Sequence, residues 1–326
     1  MKSLSSAKVT FRTKVFVRAD LDVPVKDGRV METYRLECLL STLKYLLSKK
    51  AEIVIAGHMG RPKGTFVEEL STTQLKPFFD KNLGEETYTL LENLRFDPRE
   101  RENDPEFAKE LAEKADLYVN ECFSSCHREH VSIVGIPKLL PSFAGFHLEK
   151  EVSTLSQVLK DPRRPLIAIV GGAKLESKAP AVQKFLESCD FVLVGGKIAL
   201  EYSQKNDSPN QKLILATDYV SNGLDIGPKT VAKFAEHIKK AGTIVWSGPM
   251  GLYEEGHTEG TKSVAQAVLE SGAFSVVGGG DTISDLQDLG VLDKFSFVSV
   301  GGGALLEFLI KGTLPGLEVL GRGEGA

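Results

Sequence analysis

Five glycine-rich turns follow short apolar segments in the second half of this 326-residue chain. Glycine lets the backbone approach a ligand closely, and a helix that begins after such a turn offers free N–H groups and a positive dipole end to a phosphate. One such turn says little, because a parallel sheet needs glycine at tight corners. Five in succession predict a phosphorylated ligand. They are Gly171-Gly172-Ala173-Lys174, Gly195-Gly196, Gly248-Pro249-Met250-Gly251, Gly278-Gly279-Gly280-Asp281-Thr282 and Gly301-Gly302-Gly303.

Short β-branched segments alternate with helical patterns along the whole chain. The regular spacing of leucines predicts a helix over residues 35–47, and another helix is expected to begin at Asp104-Pro105, where the acid caps and the proline suits the first turn. Strands that alternate with helices predict an α/β protein with parallel sheets covered on both faces. The predicted strands are residues 14–18, 52–56, 89–91, 117–119, 166–170, 191–194, 243–246, 274–277 and 297–300.

The length suits two α/β domains, each able to bury its own core. A charged helical segment over residues 148–159, ended by the proline-rich residues 160–165, predicts a helical connector rather than a flexible linker. We therefore expect one domain over residues 1–147 and a second over residues 148–312. The Gly-rich tail, residues 313–326, is expected to be a terminal strap or disordered.

Composition excludes several classes of partner. The net charge of −4 gives no indication of nucleic-acid binding, so an anionic substrate would have to be held by local basic residues. No apolar run approaches the length of a bilayer span, and the N-terminal residues lack the apolar core of a signal peptide. These observations predict a soluble, cytoplasmic enzyme without a membrane partner.

Four cysteines are few for this length and are predicted to be reduced thiols. Two of them, together with two histidines, superficially resemble a zinc site. The spacing fits no common zinc finger, and the pattern follows a predicted strand, so we do not favour zinc. The cysteines are Cys38, Cys122, Cys126 and Cys189, and the two histidines are His127 and His130.

Basic residues stand singly after the predicted strands of the first half. Ligands of a parallel sheet bind outside the carboxyl ends of its strands, so these side chains can converge on one cleft. Any one of them alone is equally typical of a surface ion pair. The set as a whole predicts a site for a small, multiply charged anion, because the planar guanidinium of arginine matches phosphate and carboxylate. They are Arg18, His58, Arg61, Arg95, His127, Arg128 and His130.

Two acidic residues, Asp20 and Asp22, follow the first strand. Taken alone, this spacing indicates a divalent metal or a sugar hydroxyl. It is equally typical of turn-forming acids before Val23-Pro24.

Eight of these segments together resemble the phosphoglycerate kinase family. The resemblance runs from about residue 15 to residue 315, in order and without rearrangement. In the first half it rests on Arg18-Ala19-Asp20-Leu21-Asp22-Val23-Pro24, His58-Met59-Gly60-Arg61-Pro62, Leu91-Glu92-Asn93-Leu94-Arg95-Phe96 and the segment from Val119 to Arg128. In the second half it rests on Gly171 to Lys174 with Lys178, Gly248 to Gly251 with Glu254, Gly279 to Thr282 and Gly301 to Ala304.

The resemblance implies two Rossmann-like parallel-sheet domains of three α/β/α layers, closing about a helical hinge. Residues 1–147, with the returning tail 313–326, would bind 3-phosphoglycerate, and residues 148–312 would bind magnesium nucleotide. It also implies a monomeric glycolytic phosphotransferase that reversibly moves a phosphoryl group between 1,3-bisphosphoglycerate and ADP, giving 3-phosphoglycerate and ATP. Such transfer needs positioning and charge neutralisation rather than a protein nucleophile.

The resemblance implies functional residues at the matching positions of this chain. The substrate-binding set is Asp20, Asp22, Arg35, His58, Arg61, Arg95 and Arg128. The nucleotide-binding set is Gly172, Lys174, Lys178, Gly195, Gly196, Glu254, Gly279, Gly280, Asp281 and Thr282, and Asp281 is also the magnesium ligand. The catalytic set, which would neutralise charge on the transferred group, is Arg35, Lys174, Gly302 and Gly303.

The chain departs from the family at several positions. Segments 78–87 and 201–224 are shorter than usual. A degenerate member that binds nucleotide without turnover, and a non-catalytic scaffold protein, remain as alternatives to an active enzyme; retention of Arg35, Lys174, Lys178 and Asp281 favours activity. Asp22, Lys197, Ser247 and Val300 stand where Asn, Gly, Asn and Thr are usual, and Ser124-Ser125 where Gly-Thr is usual.

Overall fold

The computed structural model describes residues 1–173, 175–205 and 210–320. The chain divides into two compact units. The first unit contains Met1–Ser153 and the described tail from Thr313 onward, and the second unit is Thr154–Gly312. In the described part of the chain, no helix is both long enough and apolar enough to cross a lipid bilayer.

The first unit is built on a parallel sheet in the order β5-β4-β1-β6-β7. The central strands β1 and β6 are buried over nearly their whole length, and α1 presents a leucine stripe to the sheet. The elements are β1 (Lys14–Arg18), β2 (Val25–Lys26), β3 (Arg29–Val30), α1 (Tyr34–Ser48), β4 (Glu52–Ala56), α2 (Lys76–Leu83), β5 (Tyr88–Leu90), α3 (Arg99–Glu102), α4 (Pro105–Ala112), β6 (Leu117–Asn120) and β7 (Ser142–Ala144).

Local chemistry sets the start of α4. The Asp104 side chain accepts a hydrogen bond from the Phe107 N–H at 2.8 Å, which satisfies one of the free donors of the first turn. Pro105 occupies the first helical position, where its missing N–H costs nothing. The helix therefore begins where the sequence predicted it.

The second unit is built on a parallel sheet in the order β10-β9-β8-β13-β14-β15. Helix α5 begins in the first unit and ends in the second. Strand β8 is apolar at every position and buried throughout, as expected for a central strand covered on both faces. The elements are α5 (Phe146–Lys160), β8 (Leu166–Val170), α6 (Leu175–Ser188), β9 (Phe191–Val194), α7 (Gly196–Lys205), β10 (Leu213–Leu215), β11 (Tyr219–Val220), β12 (Asp225–Ile226), α8 (Pro228–Ile238), β13 (Thr243–Ser247), α9 (Glu259–Ser271), β14 (Phe274–Gly278), α10 (Gly280–Asp288), β15 (Phe297–Ser299) and α11 (Gly302–Lys311).

The described part of the tail lies against the first unit. It contains the short helix α12 (Pro315–Glu318), and the Gly316 N–H donates to the Cys126 carbonyl at 2.8 Å. A Cβ on Gly316 would stand 2.7 Å from Ile133 Cγ2, so the contact depends on the absence of a side chain. Residues 321–326, the rest of the predicted tail, lie outside the described residues.

Two parallel α/β sheets confirm the predicted fold class, and each of the nine predicted strands is present within one or two residues of its expected bounds. The prediction missed the edge strands β7 and β10 and the two antiparallel hairpins β2–β3 and β11–β12. These strands are only two or three residues long, so they carry too little periodic pattern to detect.

Candidate active site

The first unit gathers charged side chains beyond the carboxyl end of β1. Arg18, the last residue of this strand, is fully buried. Its Nε donates to Ser132 Oγ at 2.7 Å, and Ser132 Oγ donates to Glu100 Oε1 at 2.5 Å. Its Nη2 lies 2.9 Å from His58 Nδ1. The guanidinium is thus fixed on two sides and connects β1 to the segment after β4.

His58 is neutral in this arrangement. A guanidinium only donates hydrogen bonds, so Nδ1 must be the acceptor and the ring proton must be on Nε2. Burial and the nearby cations, first among them Arg18, hold the pKa of His58 well below its usual value. His58 therefore presents an uncharged N–H donor, and that Nε2 lies 3.7 Å from Asp22 Oδ2.

Asp20 is a buried carboxylate that accepts no hydrogen bond from the described residues. It is 1% exposed, and neither carboxylate oxygen has a hydrogen bond within the described residues. The nearest cation is Arg35, whose Nη1 lies 3.8 Å from Asp20 Oδ1. Because an unsatisfied buried carboxylate is costly, these oxygens are prepared to accept hydrogen bonds from a ligand hydroxyl or from water.

A glycine turn after β4 completes this group. Asp22 Oδ1 accepts from the Gly60 N–H at 2.8 Å, and Arg95 Nη1 donates to the Gly60 carbonyl at 2.8 Å. Arg35 Nη1 donates to the Asp22 carbonyl at 2.7 Å. A Cβ on Gly60 would stand 2.6 Å from Leu70 Cδ2, and its φ of 60° is left-handed, so only glycine suits this position. Asp22 therefore has a structural contact that its sequence position did not reveal.

Arg61 and Arg128 are exposed, unlike the rest of the predicted substrate set. In the described part of the chain, neither side chain has a hydrogen bond or ion pair that would tie it to the buried residues around Arg18. Contacts join four members of the predicted set to one another, Asp20, Asp22, Arg35 and His58, and Gly60 links Arg95 to Asp22. Ser132 and Glu100, which hold Arg18, were missed because neither lies in a recognisable motif.

The two cysteines of the Cys-His pattern in the first unit are part of its packed interior. Cys122 and Cys126 are fully buried, and Cys126 Sγ–H donates to the Cys122 carbonyl at 3.3 Å. Burial raises the pKa of both thiols. Among the residues that the structure describes, no three His, Cys, Asp or Glu side chains form a group that could hold a metal ion.

The glycine turns of the second unit pack directly against one another at the carboxyl edge of its sheet. The Gly171 N–H donates to the Ser247 carbonyl at 3.0 Å, and the Gly172 N–H donates to the Pro249 carbonyl at 2.9 Å. A Cβ on Gly302 would stand 2.7 Å from the Gly279 Cα, so the turns before α10 and α11 also touch. This edge is therefore a continuous surface of backbone.

Three helices point their N-termini at this edge. Helices α7, α10 and α11 begin at Gly196, Gly280 and Gly302. No side chain of the described residues caps α10 or α11, so the N–H groups of their first turns, including those of Gly302 and Gly303, keep their hydrogen-bonding capacity for a ligand. Together with the helix dipoles, these groups make a binding surface for phosphate.

Lys178 is the described lysine that faces this surface from α6. Its Nζ donates to Ser247 Oγ at 2.9 Å. Burial lowers the pKa of Lys178 to about 8, against the opposing attraction of Asp281. Lys174, the other lysine predicted here, lies outside the described residues.

The remaining predicted nucleotide residues have different surroundings. Thr282 is fully buried, and its Oγ1 accepts from the Gly248 N–H at 2.8 Å, so it joins two glycine turns. Asp281 and Glu254 are exposed. Lys197, in the first turn of α7, is also exposed, whereas Val300 is fully buried.

The sequence and the structure were compared with those of known proteins. A sequence model of the phosphoglycerate kinase family matches residues 7–89, 79–222 and 203–312. The phosphoglycerate kinase of Leptospira biflexa is 37% identical over 379 aligned positions, which cover 94% of this chain and 95% of that protein. The enzyme of Thermus thermophilus is 37% identical over 376 positions, with 94% and 96% coverage. These alignments are longer than the chain itself, so the relatives contain segments that this chain lacks.

Solved structures agree with the sequence comparison. The structure of phosphoglycerate kinase from Coxiella burnetii is similar with a TM-score of 0.81 and 32% identity, covering 98% of both chains. That from Pyrococcus horikoshii is similar with a TM-score of 0.84 and 30% identity, again covering 98% of both chains.

Proposed function

The chain belongs to the phosphoglycerate kinase family, and we propose that each of its two units binds one of the two substrates of this phosphotransferase. The reaction is the glycolytic transfer of a phosphoryl group between 1,3-bisphosphoglycerate and ADP, which gives 3-phosphoglycerate and ATP and runs in both directions. In our proposal the first unit binds the phosphoglycerate and the second unit binds the magnesium nucleotide.

One observation carries the proposal for the second unit: uncapped helix N-termini and a half-buried lysine face the same edge of backbone turns. Phosphate oxygens can accept from the N–H groups at Gly280 and Gly302 while Lys178 supplies a positive charge. The exposed Glu254 is proposed to contact the ribose. The other glycines of the proposed set are Gly172, Gly195, Gly196 and Gly279.

The donor set at this edge suits magnesium held jointly with a nucleotide. Asp281 supplies one exposed carboxylate in the first turn of α10. Magnesium commonly takes one or two carboxylates and completes its shell with phosphate oxygens and water, and within the described residues no group of three ligands offers an all-protein cage instead. A magnesium ion held there would neutralise negative charge on the nucleotide phosphates.

For the first unit the proposal rests on the Asp20 carboxylate, which accepts no hydrogen bond from the described residues and lies beside a group of cations. Asp20 can accept from the hydroxyl of a glycerate, while Arg35 and the neutral His58 donate to its anionic groups. Arg61 and Arg128 are exposed cations that can meet the phosphate from solvent. The remaining substrate contacts are assigned to Asp22 and Arg95.

Transfer itself requires positioning and charge neutralisation, not covalent participation by the protein. We propose that closure about the connecting helix α5 aligns donor and acceptor and excludes water. Arg35, Lys174 and the N–H groups of Gly302 and Gly303 would then stabilise the charge on the transferred group. The acyl phosphate is a good donor, so no general base is needed.

A coupled assay with ATP, magnesium and 3-phosphoglycerate, run beside calorimetry with magnesium ADP, tests this function. Turnover together with nucleotide binding is expected. Binding without turnover would instead identify a degenerate member of the family. Neither binding nor turnover would favour a scaffold protein.

A further inference from the structure

We propose that Ser247 is a positioning residue that holds the Lys178 ammonium at the phosphate-binding edge of the second unit. The proposal rests on the nucleotide-binding role proposed above for Lys178. Ser247 would act through the lysine, so its effect should be visible in the behaviour of Lys178 as well as in ligand affinity.

The geometry places Ser247 where several parts of this edge meet. It is the last residue of β13 and is 1% exposed. Its carbonyl accepts from the Gly171 N–H at 3.0 Å, which anchors the turn before α6. Its Oγ would lie 3.5 Å from a Cβ on Gly279, the residue before α10. A side chain bound to Ser247 Oγ is therefore held beside the turns that precede both helices.

Lys178 reaches this point from the first turns of α6. Its Nζ donates to Ser247 Oγ at 2.9 Å, and Ser247 is the hydrogen-bond acceptor that the described residues provide for it. An ammonium has three donors, so two remain for phosphate oxygens. Without this acceptor, the long lysine side chain would no longer be restrained to point at this edge. Ligand binding would then have to order the side chain, at a cost in conformational entropy.

The same hydrogen bond affects the charge of the lysine. Burial lowers the pKa of Lys178 to about 8, and Asp281, on α10, is the charged group that opposes this shift. A hydroxyl that accepts from the ammonium stabilises its charged form. Loss of Ser247 should therefore lower the pKa further, so that Lys178 becomes neutral and a weak phosphate ligand at a lower pH.

The experiment compares three variants with the wild-type protein. Ser247→Ala removes the acceptor, and Ser247→Thr restores a hydroxyl at the same position. Ser275→Ala is the matched control: Ser275 is a buried serine near the amino end of β14, and it hydrogen-bonds to Ser296 rather than to Lys178. Calorimetry would give the dissociation constant for magnesium ADP from pH 6.5 to 9.5. Side-chain NMR, with the Lys178 signal assigned by its loss in Lys178→Arg, would give the lysine titration directly.

We expect wild-type affinity to fall as pH rises above about 8. In Ser247→Ala, both this fall and the Lys178 titration should move down by about one pH unit, because a hydrogen bond to a charged group contributes roughly that much. Ser247→Thr should restore the wild-type profile. Ser275→Ala should leave the profile unchanged even if it lowers the melting temperature.

An unshifted Lys178 titration in a folded Ser247→Ala protein overturns the proposal, whatever happens to affinity. A shift that Ser247→Thr fails to restore also overturns it, because the hydroxyl would then not be the cause. If wild-type protein binds no magnesium ADP at any pH, the nucleotide role of Lys178 fails instead, and with it the role proposed for Ser247.

Discussion

Arg18 Nη2 lies 2.9 Å from His58 Nδ1, and both side chains are buried. The permanently charged Arg18 guanidinium therefore occupies the side of the ring at which a proton would have to bind to Nδ1 of His58. This contact makes the histidine an uncharged donor beside the proposed anion site.

We predict that His58 stays neutral, with its proton on Nε2, from pH 5.5 to 8. Burial and Arg18 lower its pKa, so protonation would require a lower pH than for an ordinary histidine. Two-bond ¹H–¹⁵N correlation spectra report the tautomer directly. A His58 titration near pH 6.5 would contradict the prediction.

His147 provides an internal comparison in the same spectra. Its Nε2 lies 3.2 Å from Glu151 Oε2. Burial opposes its charge, but the neighbouring Cys38 and Glu151 side chains raise its pKa to about 11. His147 should thus remain an imidazolium over the same range. Its contribution to stability is fully present below the unfolded pKa of about 6.5 and is lost as pH rises through the folded value.

Lys174→Ala should lower kcat by about 10²- to 10³-fold while the affinity for magnesium ADP changes less. This expectation rests on the position of Lys174 after Gly171-Gly172-Ala173 and on the size of effect seen when a transition-state donor is removed. Steady-state kinetics and calorimetry on the same preparation separate the two quantities. Near-normal turnover would refute the catalytic assignment.

Asp22→Asn should lower the KM for 3-phosphoglycerate and leave the KM for ATP nearly unchanged. Two carboxylates 4 Å apart repel by about 4 kcal/mol at an effective dielectric of roughly 20, and by less at a side chain that is 41% exposed. The Asn oxygen can still accept from the Gly60 N–H, so the turn should survive. Asp27→Asn, at an exposed acid of the β2–β3 turn, is the control and should have no effect. Weaker phosphoglycerate binding in Asp22→Asn would identify Asp22 as an adapted ligand.

Asp285→Asn should raise the free energy of unfolding more at pH 7.5 than at pH 4. Burial raises the pKa of Asp285 to about 6, against the opposing effect of the Thr261 hydroxyl. A folded pKa above the unfolded value of about 3.9 means that stability is lost as pH rises through about 6, by at most roughly 3 kcal/mol. Urea unfolding at the two pH values measures this difference. Asp293→Asn, at an exposed acid that follows the helix of Asp285 in the chain, is the control, and equal behaviour of the two variants would refute the assignment.

The sequence predicted the regular core of each unit well, because buried parallel strands such as β8 are uniformly apolar and end at glycine turns. It also placed Arg35, His58 and Asp20 in one predicted substrate-binding set. It could not predict the pairing of Arg18 with Ser132 and Glu100, which are far apart in the chain and meet only through packing. For the same reason it could not assign Asp22 and Thr282 their hydrogen bonds to the backbone of glycine turns.

The packed turns of the second unit restrict how its ligand preference can change during evolution. A Cβ on Gly171 or on Gly248 would collide with the backbone of the other, so neither glycine can be exchanged first and compensated later. The backbone conformation of these packed turns must therefore be conserved as a unit. Selection can act instead on the side chains next to the glycines, at Ser247 and Lys197, and these are two of the positions at which a departure from the family is expected from the sequence.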